Sequence, residues 1–199
     1  HGPLYGLHVG MRNICANMVR IFWTTPLFKS RLTGSAKGLY LCSGLPLLLG
    51  PLQIELGENV RLSGITTLSG RVSASQTPHL KIGNGSGIGW QTTIAVGTKV
   101  IIGNHVHIAG KGFLAGYPGH PLDPDARAEG LPDTDDQCGD IIIEDKVWLA
   151  TGVTVMAGVT IGEGSVIAAG SVVTKSIPAR VLAGGIPAKI IRQLDGKAL

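Results

Sequence analysis

Gly119-His120-Pro121 sets an imidazole between a residue that frees the backbone and one that fixes it. A neutral imidazole can take a proton from a hydroxyl as that hydroxyl attacks, so His120 is a candidate general base. By residue type alone, a solvated loop histidine is the commoner case. Asp123, Asp125 and Asp140 are the nearby carboxylates that could orient the ring, and the sequence does not choose among them. His105 and His107, two apart, can share a strand face and could bind a metal ion. Cys15, Cys42 and Cys138 are odd in number, lack zinc or redox spacing and have no adjacent base, so they read as reduced thiols of a cytoplasmic protein. The stretch Gly83 to Gly89 contains a Gly-x-Gly-x-Gly string but opens no helix, which argues against a dinucleotide loop.

His120 belongs to a polar segment, 116–140, with prolines at 118, 121, 124 and 132. A connection of that length inside a compact domain is uncommon unless it builds something. What it interrupts is regular. Ile143, Leu149, Val155, Ile161, Ile167 and Val173 return every six positions, a period that suits neither an amphipathic helix nor a half-exposed strand alone. Position two of these hexads is Glu144, Ala150, Met156, Gly162, Ala168 and Thr174, and position five is Val147, Val153, Val159, Ser165, Ser171 and Ile177. Aliphatic and fifth residues pointing inward would let three hexads close one triangular coil, with coils stacked about 4.8 Å apart. Earlier, Leu56/Leu62/Leu68, Ile82/Ile88/Ile94 and Ile102/Ile108/Leu114 give three more coils.

The predicted organisation is an N-terminal helical and irregular segment over 1–50, whose stretch from Leu32 to Pro51 could be an imperfect first coil, a solenoid over 51–185 carrying the 116–140 excursion, and a closing strand or helix within 186–199. In the first segment Met11, Ile14, Cys15, Met18, Ile21 and Phe22 fall on one helical face, opposite Arg12, Asn13, Asn17 and Arg20, and Pro26 is expected to end the helix. That face could pack on the first coil or lie on a membrane. The longest apolar run, Leu45 to Leu56, is too short to span a bilayer. No secretory signal is legible at the start. A formal charge of +4 favours anionic ligands. The absence of a Lys/Arg run or aromatic ladder argues against nucleic acid.

The hexads, Val147-Trp148-Leu149-Ala150-Thr151, Val172-Val173-Thr174-Lys175-Ser176-Ile177-Pro178, Gly119-His120-Pro121 and Ala183-Gly184-Gly185-Ile186-Pro187-Ala188-Lys189 together resemble the hexapeptide-repeat acyltransferases. Among these they are most similar to the galactoside, maltose and xenobiotic acetyltransferases, with likeness also to surface-polysaccharide O-acetyltransferases, and the resemblance covers roughly 82–194. It implies an all-β, left-handed parallel β-helix, a homotrimer, and transfer of acetyl from acetyl-CoA to a sugar hydroxyl, free or lipid-linked, without a metal. It further implies His120 as catalytic base, a Thr151 backbone N–H facing the thioester carbonyl, Ala169 against the pantetheine, and Thr174 and Lys175 beside the arm. Lys189 and Arg192 would meet the nucleotide phosphates. Trp90, Gln91 and Trp148 are the acceptor candidates. Where the galactoside enzymes carry an acceptor-binding Asn and Asp, this chain has Gly89 and Gly97, so the donor half is better retained than the acceptor half.

Two other functions fit a solenoid. A γ-type carbonic anhydrase would hold zinc between subunits, for which His105, His107 and His120 are the available set, without that family's His-x4-His spacing. A non-catalytic scaffold would leave the long excursion without a purpose.

Overall fold

The computed structural model describes residues 2–34 and 36–194. The chain winds into a left-handed parallel β-helix with three flat faces. Face A stacks strands Leu32–Thr33, Gln53–Leu56, His79–Ile82, Lys99–Ile102, Ile141–Ile143 and Thr160–Ile161. Face B stacks Tyr40–Cys42, Arg61–Ser63, Gly87–Ile88, His107–Ile108, Trp148–Leu149, Val166–Ile167, Val181–Gly185 and Ala188–Gln193. Face C stacks Leu47–Leu49, Thr67–Gly70, Thr93–Val96, Phe113–Ala115, Thr154–Met156 and Val172–Val173.

The six-residue period is the length of one prism edge. Ile143, Leu149, Val155, Ile161, Ile167 and Val173 are all 0% exposed, and each stacks on its counterpart one coil away, as in Ile102 on Ile143 on Ile161. Fifth-position serines stitch coil to coil: Ser165 Oγ donates to the Pro178 carbonyl (2.7 Å) and accepts from the Val181 N–H (3.1 Å). Substituting Ile143 by alanine is expected to lower stability by about 2–5 kcal/mol, read from denaturant midpoints. A loss below about 1 kcal/mol would mean that the interior collapses around the gap.

The stretch before Pro51, read from sequence as irregular or as an imperfect first coil, contains a complete coil, Leu32–Thr33, Tyr40–Cys42 and Leu47–Leu49, so the solenoid begins at Leu32. Two excursions leave the prism, residues 71–78 and 116–140, and both leave from the corner between faces C and A. At the far end the last strand, Ala188–Gln193, turns back antiparallel on Val181–Gly185 and covers the open edge of face B.

Helix α1 (Pro3–Val19) passes through a π turn, Arg20–Thr24, into α2 (Thr25–Lys29). Pro26 was expected to stop the helix. Instead it occupies the first turn of α2, where a missing N–H costs nothing, and the wider π turn before it relieves the ring clash. Thr24 and Phe28 root the segment in the core, whereas α1 buries no residue. The expected packing of the Met11–Trp23 face on the first coil therefore does not occur.

Candidate active site

The corner between faces B and C repeats one turn. Strand register sets Gly87-Ile88, His107-Ile108, Trp148-Leu149 and Val166-Ile167 above one another, so the residues that follow stack too: Trp90-Gln91, Gly110-Lys111, Thr151-Gly152 and Ala169-Gly170. The second residue of each pair takes a left-handed φ, between 54° and 72°, which turns the chain onto face C. Its N–H bonds to the previous coil's carbonyl: Lys111 to Trp90 (2.8 Å), Gly152 to Gly110 (3.0 Å), Gly170 to Thr151 (2.9 Å). The first residue's amide is left over. Thr151 and Ala169 are exposed, and among the described residues neither N–H has a hydrogen-bond partner. Two free donors, one coil or about 4.8 Å apart, thus line this corner.

Beside it, face B carries a cleft of about 630 Å³ between the indoles of Trp90 and Trp148, reaching Arg61, Ser63 and His107. Trp90 is held from two sides. Lys111 Nζ lies 5.3 Å over its ring, and a Cβ on Gly110 would come within 2.7 Å of its Nε1. Gly89 is pressed against the next coil: a Cβ there would meet the Gly110 nitrogen at 2.6 Å. Gln91 is exposed at the same corner. Lys189 pairs across from Gly184 on the returning strand, and Arg192 lies further along it, both exposed.

The remaining site candidates lie elsewhere. Thr174 and Lys175 follow strand Val172–Val173 at the corner between faces C and A, and the loop bearing His120 leaves the same corner two coils earlier. Within one chain, then, the sequence-selected residues form two groups at opposite edges of face C. His120 is exposed and makes no hydrogen bond among the described residues. None of the three carboxylates proposed to orient it does so. Asp123 caps α3 (Pro124–Ala128) through the Ala126 N–H, Asp125 sits in that helix's first turn, and Asp140 binds Thr98 Oγ1 (2.6 Å) and Lys99 Nζ (2.9 Å).

What holds the loop is a contact that no sequence spacing announced. Arg71, from the 71–78 excursion, and Asp133, from the 116–140 excursion, are each 3% exposed and joined Nε to Oδ1 at 2.5 Å. Arg71 also donates to the Asp133 carbonyl (2.6 Å) and to Asp135. Asp133 accepts from Ser73 Oγ (3.0 Å) and, through Oδ2, from the Gly119 N–H (2.9 Å), the residue before His120. Burial disfavours the Asp133 carboxylate, but the hydrogen bonds from Arg71, Ser73 and Gly119 outweigh it and hold its pKa below the usual carboxylate range. Tyr117 OH reaches Ser69 Oγ (3.2 Å) and adds a second tether. Burial pushes the nearby Cys138 thiol up, against a nucleophilic role.

Of the three histidines available to zinc, His107 lies on face B and His105 in the turn before it, with His120 on the loop at another corner. Among the described residues no group of three metal-ligating side chains converges within one chain.

The family model of bacterial transferase hexapeptides (six repeats) matches residues 140–175. Over 117 residues the chain is 37% identical to galactoside O-acetyltransferase of Lactococcus lactis subsp. lactis (strain IL1403), covering 59% of this chain and 54% of that protein. Over 113 residues it is 42% identical to polysialic acid O-acetyltransferase of Escherichia coli O1:K1 / APEC, covering 53% and 36%. The chain thus spans about half or less of the length of these curated relatives. A solved hexapeptide-repeat-containing acetyltransferase of Vibrio cholerae O1 biovar eltor, complexed with acetyl coenzyme A, superposes with a TM-score of 0.53 at 28% identity, covering 80% of this chain and 73% of that one. Repeat, prism and relatives agree that the chain resembles the hexapeptide-repeat acetyltransferases. Among them it is similar to the enzymes named for galactoside and polysialic acid.

Proposed function

We propose that the protein transfers an acetyl group from acetyl-CoA to a sugar hydroxyl, free or lipid-linked, in surface-polysaccharide synthesis. The observation that carries this reading is the pair of unpartnered amides at Thr151 and Ala169 on one corner, next to a cleft walled by two indoles. A thioester carbonyl and a pantetheine amide are acceptors that such a pair would suit, and the oxyanion formed on attack would draw on the Thr151 N–H. His120 takes the acceptor's hydroxyl proton as the oxygen bonds to the thioester carbon. The C–S bond then breaks, and the proton passes to the leaving thiolate. Lys189 and Arg192, exposed cations on the returning strand, suit the nucleotide phosphates.

Because His120, Thr174 and Lys175 stand across face C from Thr151 and Ala169, a single chain cannot close this site. We therefore propose a homotrimer in which the C–A corner of one copy meets the B–C corner of the next, an arrangement that also excludes water from the thioester. Three free cysteines suit a reducing, cytoplasmic setting.

An acetyl-CoA consumption assay across free sugars, nucleotide sugars and lipid-linked glycans tests the reading. Neither turnover nor coenzyme A binding would leave a scaffold, and stoichiometric zinc with CO2 hydration would replace acyl transfer. Trp90→Ala and Trp148→Ala are each expected to raise the acceptor KM about tenfold with kcat little changed. A fall in kcat at constant KM would take the indoles out of the acceptor pocket.

A further inference from the structure

Helix α1 lies on the body with one side only. Val9 and Arg20 are half-buried, the Arg20 guanidinium sits 4.3 Å over the Tyr40 ring, and Ala16, Arg20 and Thr24 border the same cleft as Tyr40. The opposite side carries Leu4, Leu7, Met11, Ile14, Met18 and Phe22, spaced by threes and fours and between 56% and 83% exposed. A stripe of that spacing ordinarily faces a core. Here it faces outward over the whole length of α1, and Trp23, 68% exposed, continues it at the π turn.

The charge around the stripe has one sign. Residues 1–54 contain Arg12, Arg20, Lys29, Arg31 and Lys37 and no Asp or Glu, and the first carboxylate in the chain is Glu55. Arg12, Lys29, Arg31 and Lys37 are exposed, and among the described residues none of the five has a carboxylate partner. The rest of the chain therefore carries all of the acidic residues.

We infer that α1 is a membrane-surface anchor that lays its outward stripe into the headgroup boundary of a bilayer containing anionic lipids. An apolar stripe gains by leaving water, while flanking cations with no acidic neighbours gain from a negative surface. Trp23 and Phe22 suit the interfacial depth at which aromatic rings collect. No described helix is long and apolar enough to cross the bilayer, so the contact lies along the surface. A second copy of α1 is the less suitable occupant. Written as heptads with Leu4, Leu7, Met11, Ile14, Met18 and Ile21 at the seam, the flanking positions hold His8, Gly10, Cys15 and Asn17, which supply no opposite-charge pairs, and the nearby cations would repel one another. The helix would do this whether or not His120 is a base.

The test is flotation of the full chain with vesicles of phosphatidylcholine alone or mixed with phosphatidylglycerol, beside the double variant Leu7→Glu/Ile14→Glu. The parent is expected to float with the mixed vesicles at least tenfold more than with phosphatidylcholine, less so at high salt, and the variant to lose at least tenfold. As α1 buries no residue, the variant should melt at the parent's temperature, and the salt titration on the unaltered protein gives an answer even if it does not. Absence of flotation by the parent, or equal flotation of parent and variant, overturns the anchor. So does a parent oligomer that the variant dissociates without either binding vesicles, which would assign the stripe to a second copy.

Discussion

Replacing His120 with alanine should cut turnover by about 10²- to 10⁴-fold while the protein melts at its usual temperature and still binds coenzyme A. The two halves of that result follow from one fact: the side chain is exposed and hydrogen-bonded to none of the described residues, so its removal opens no cavity and leaves no buried partner unpaired. Steady-state kinetics and a thermal melt check it. Turnover at the parent rate would remove the histidine from the mechanism, and a lowered melting temperature would mean that the ring packs where no contact is seen.

Asp133→Asn should be the costliest change outside the prism interior. Breaking a buried ion pair by removing one partner costs about 3–5 kcal/mol, because the other charge is left without compensation. Here the stranded charge is Arg71: the amide oxygen of Asn and the residue 133 carbonyl can still accept from it, but among the described residues the one carboxylate left to it is Asp135, itself 73% exposed. The loss should fall on the 116–140 excursion, as faster proteolysis there and a lower kcat through the released Gly119–His120 backbone. A double change, Arg71→Met/Asp133→Leu, is expected to destabilise less than either single change. If Asp133→Asn costs less than about 1 kcal/mol, the pair does not anchor the loop. The pH dependence has a fixed sign. A carboxylate whose pKa is depressed on folding adds stability above its unfolded value, about 3.9, and loses it as pH falls through the folded value. The loop should therefore loosen in acid below about pH 4, whereas near neutrality Asp133 contributes its full stabilisation and makes the loop indifferent to pH.

How much of this was legible depended on whether a feature repeats. Ile143 to Val173 could be read because the side-chain period equals the prism edge, and Thr151 and Ala169 share a corner because three hexads separate them. The first coil was legible only as an imperfect one because Leu41 and Leu48 are seven apart, off the six-residue step. Arg71 and Asp133 are 62 positions apart in different excursions, and neither spacing nor residue type links them. The split of the site could have been found. Val173 opens a hexad on face C whereas Leu149 and Ile167 open hexads on face B, so Thr174 had to turn a different corner from Thr151 and Ala169. The fate of α1 could not, because an apolar stripe looks the same whether it meets a core, a twin or lipid.

A stack of parallel rungs has no built-in stop, since each end offers the same unpaired edge that the next rung would use. Here the chain itself takes that place. Ala188–Gln193 runs against the direction of the rungs, so a second molecule arriving end-on would find the wrong polarity on face B and the charged side chains of Lys189 and Arg192. End-on addition is therefore disfavoured along face B at this end of the prism, where the edge strand no longer offers a parallel partner.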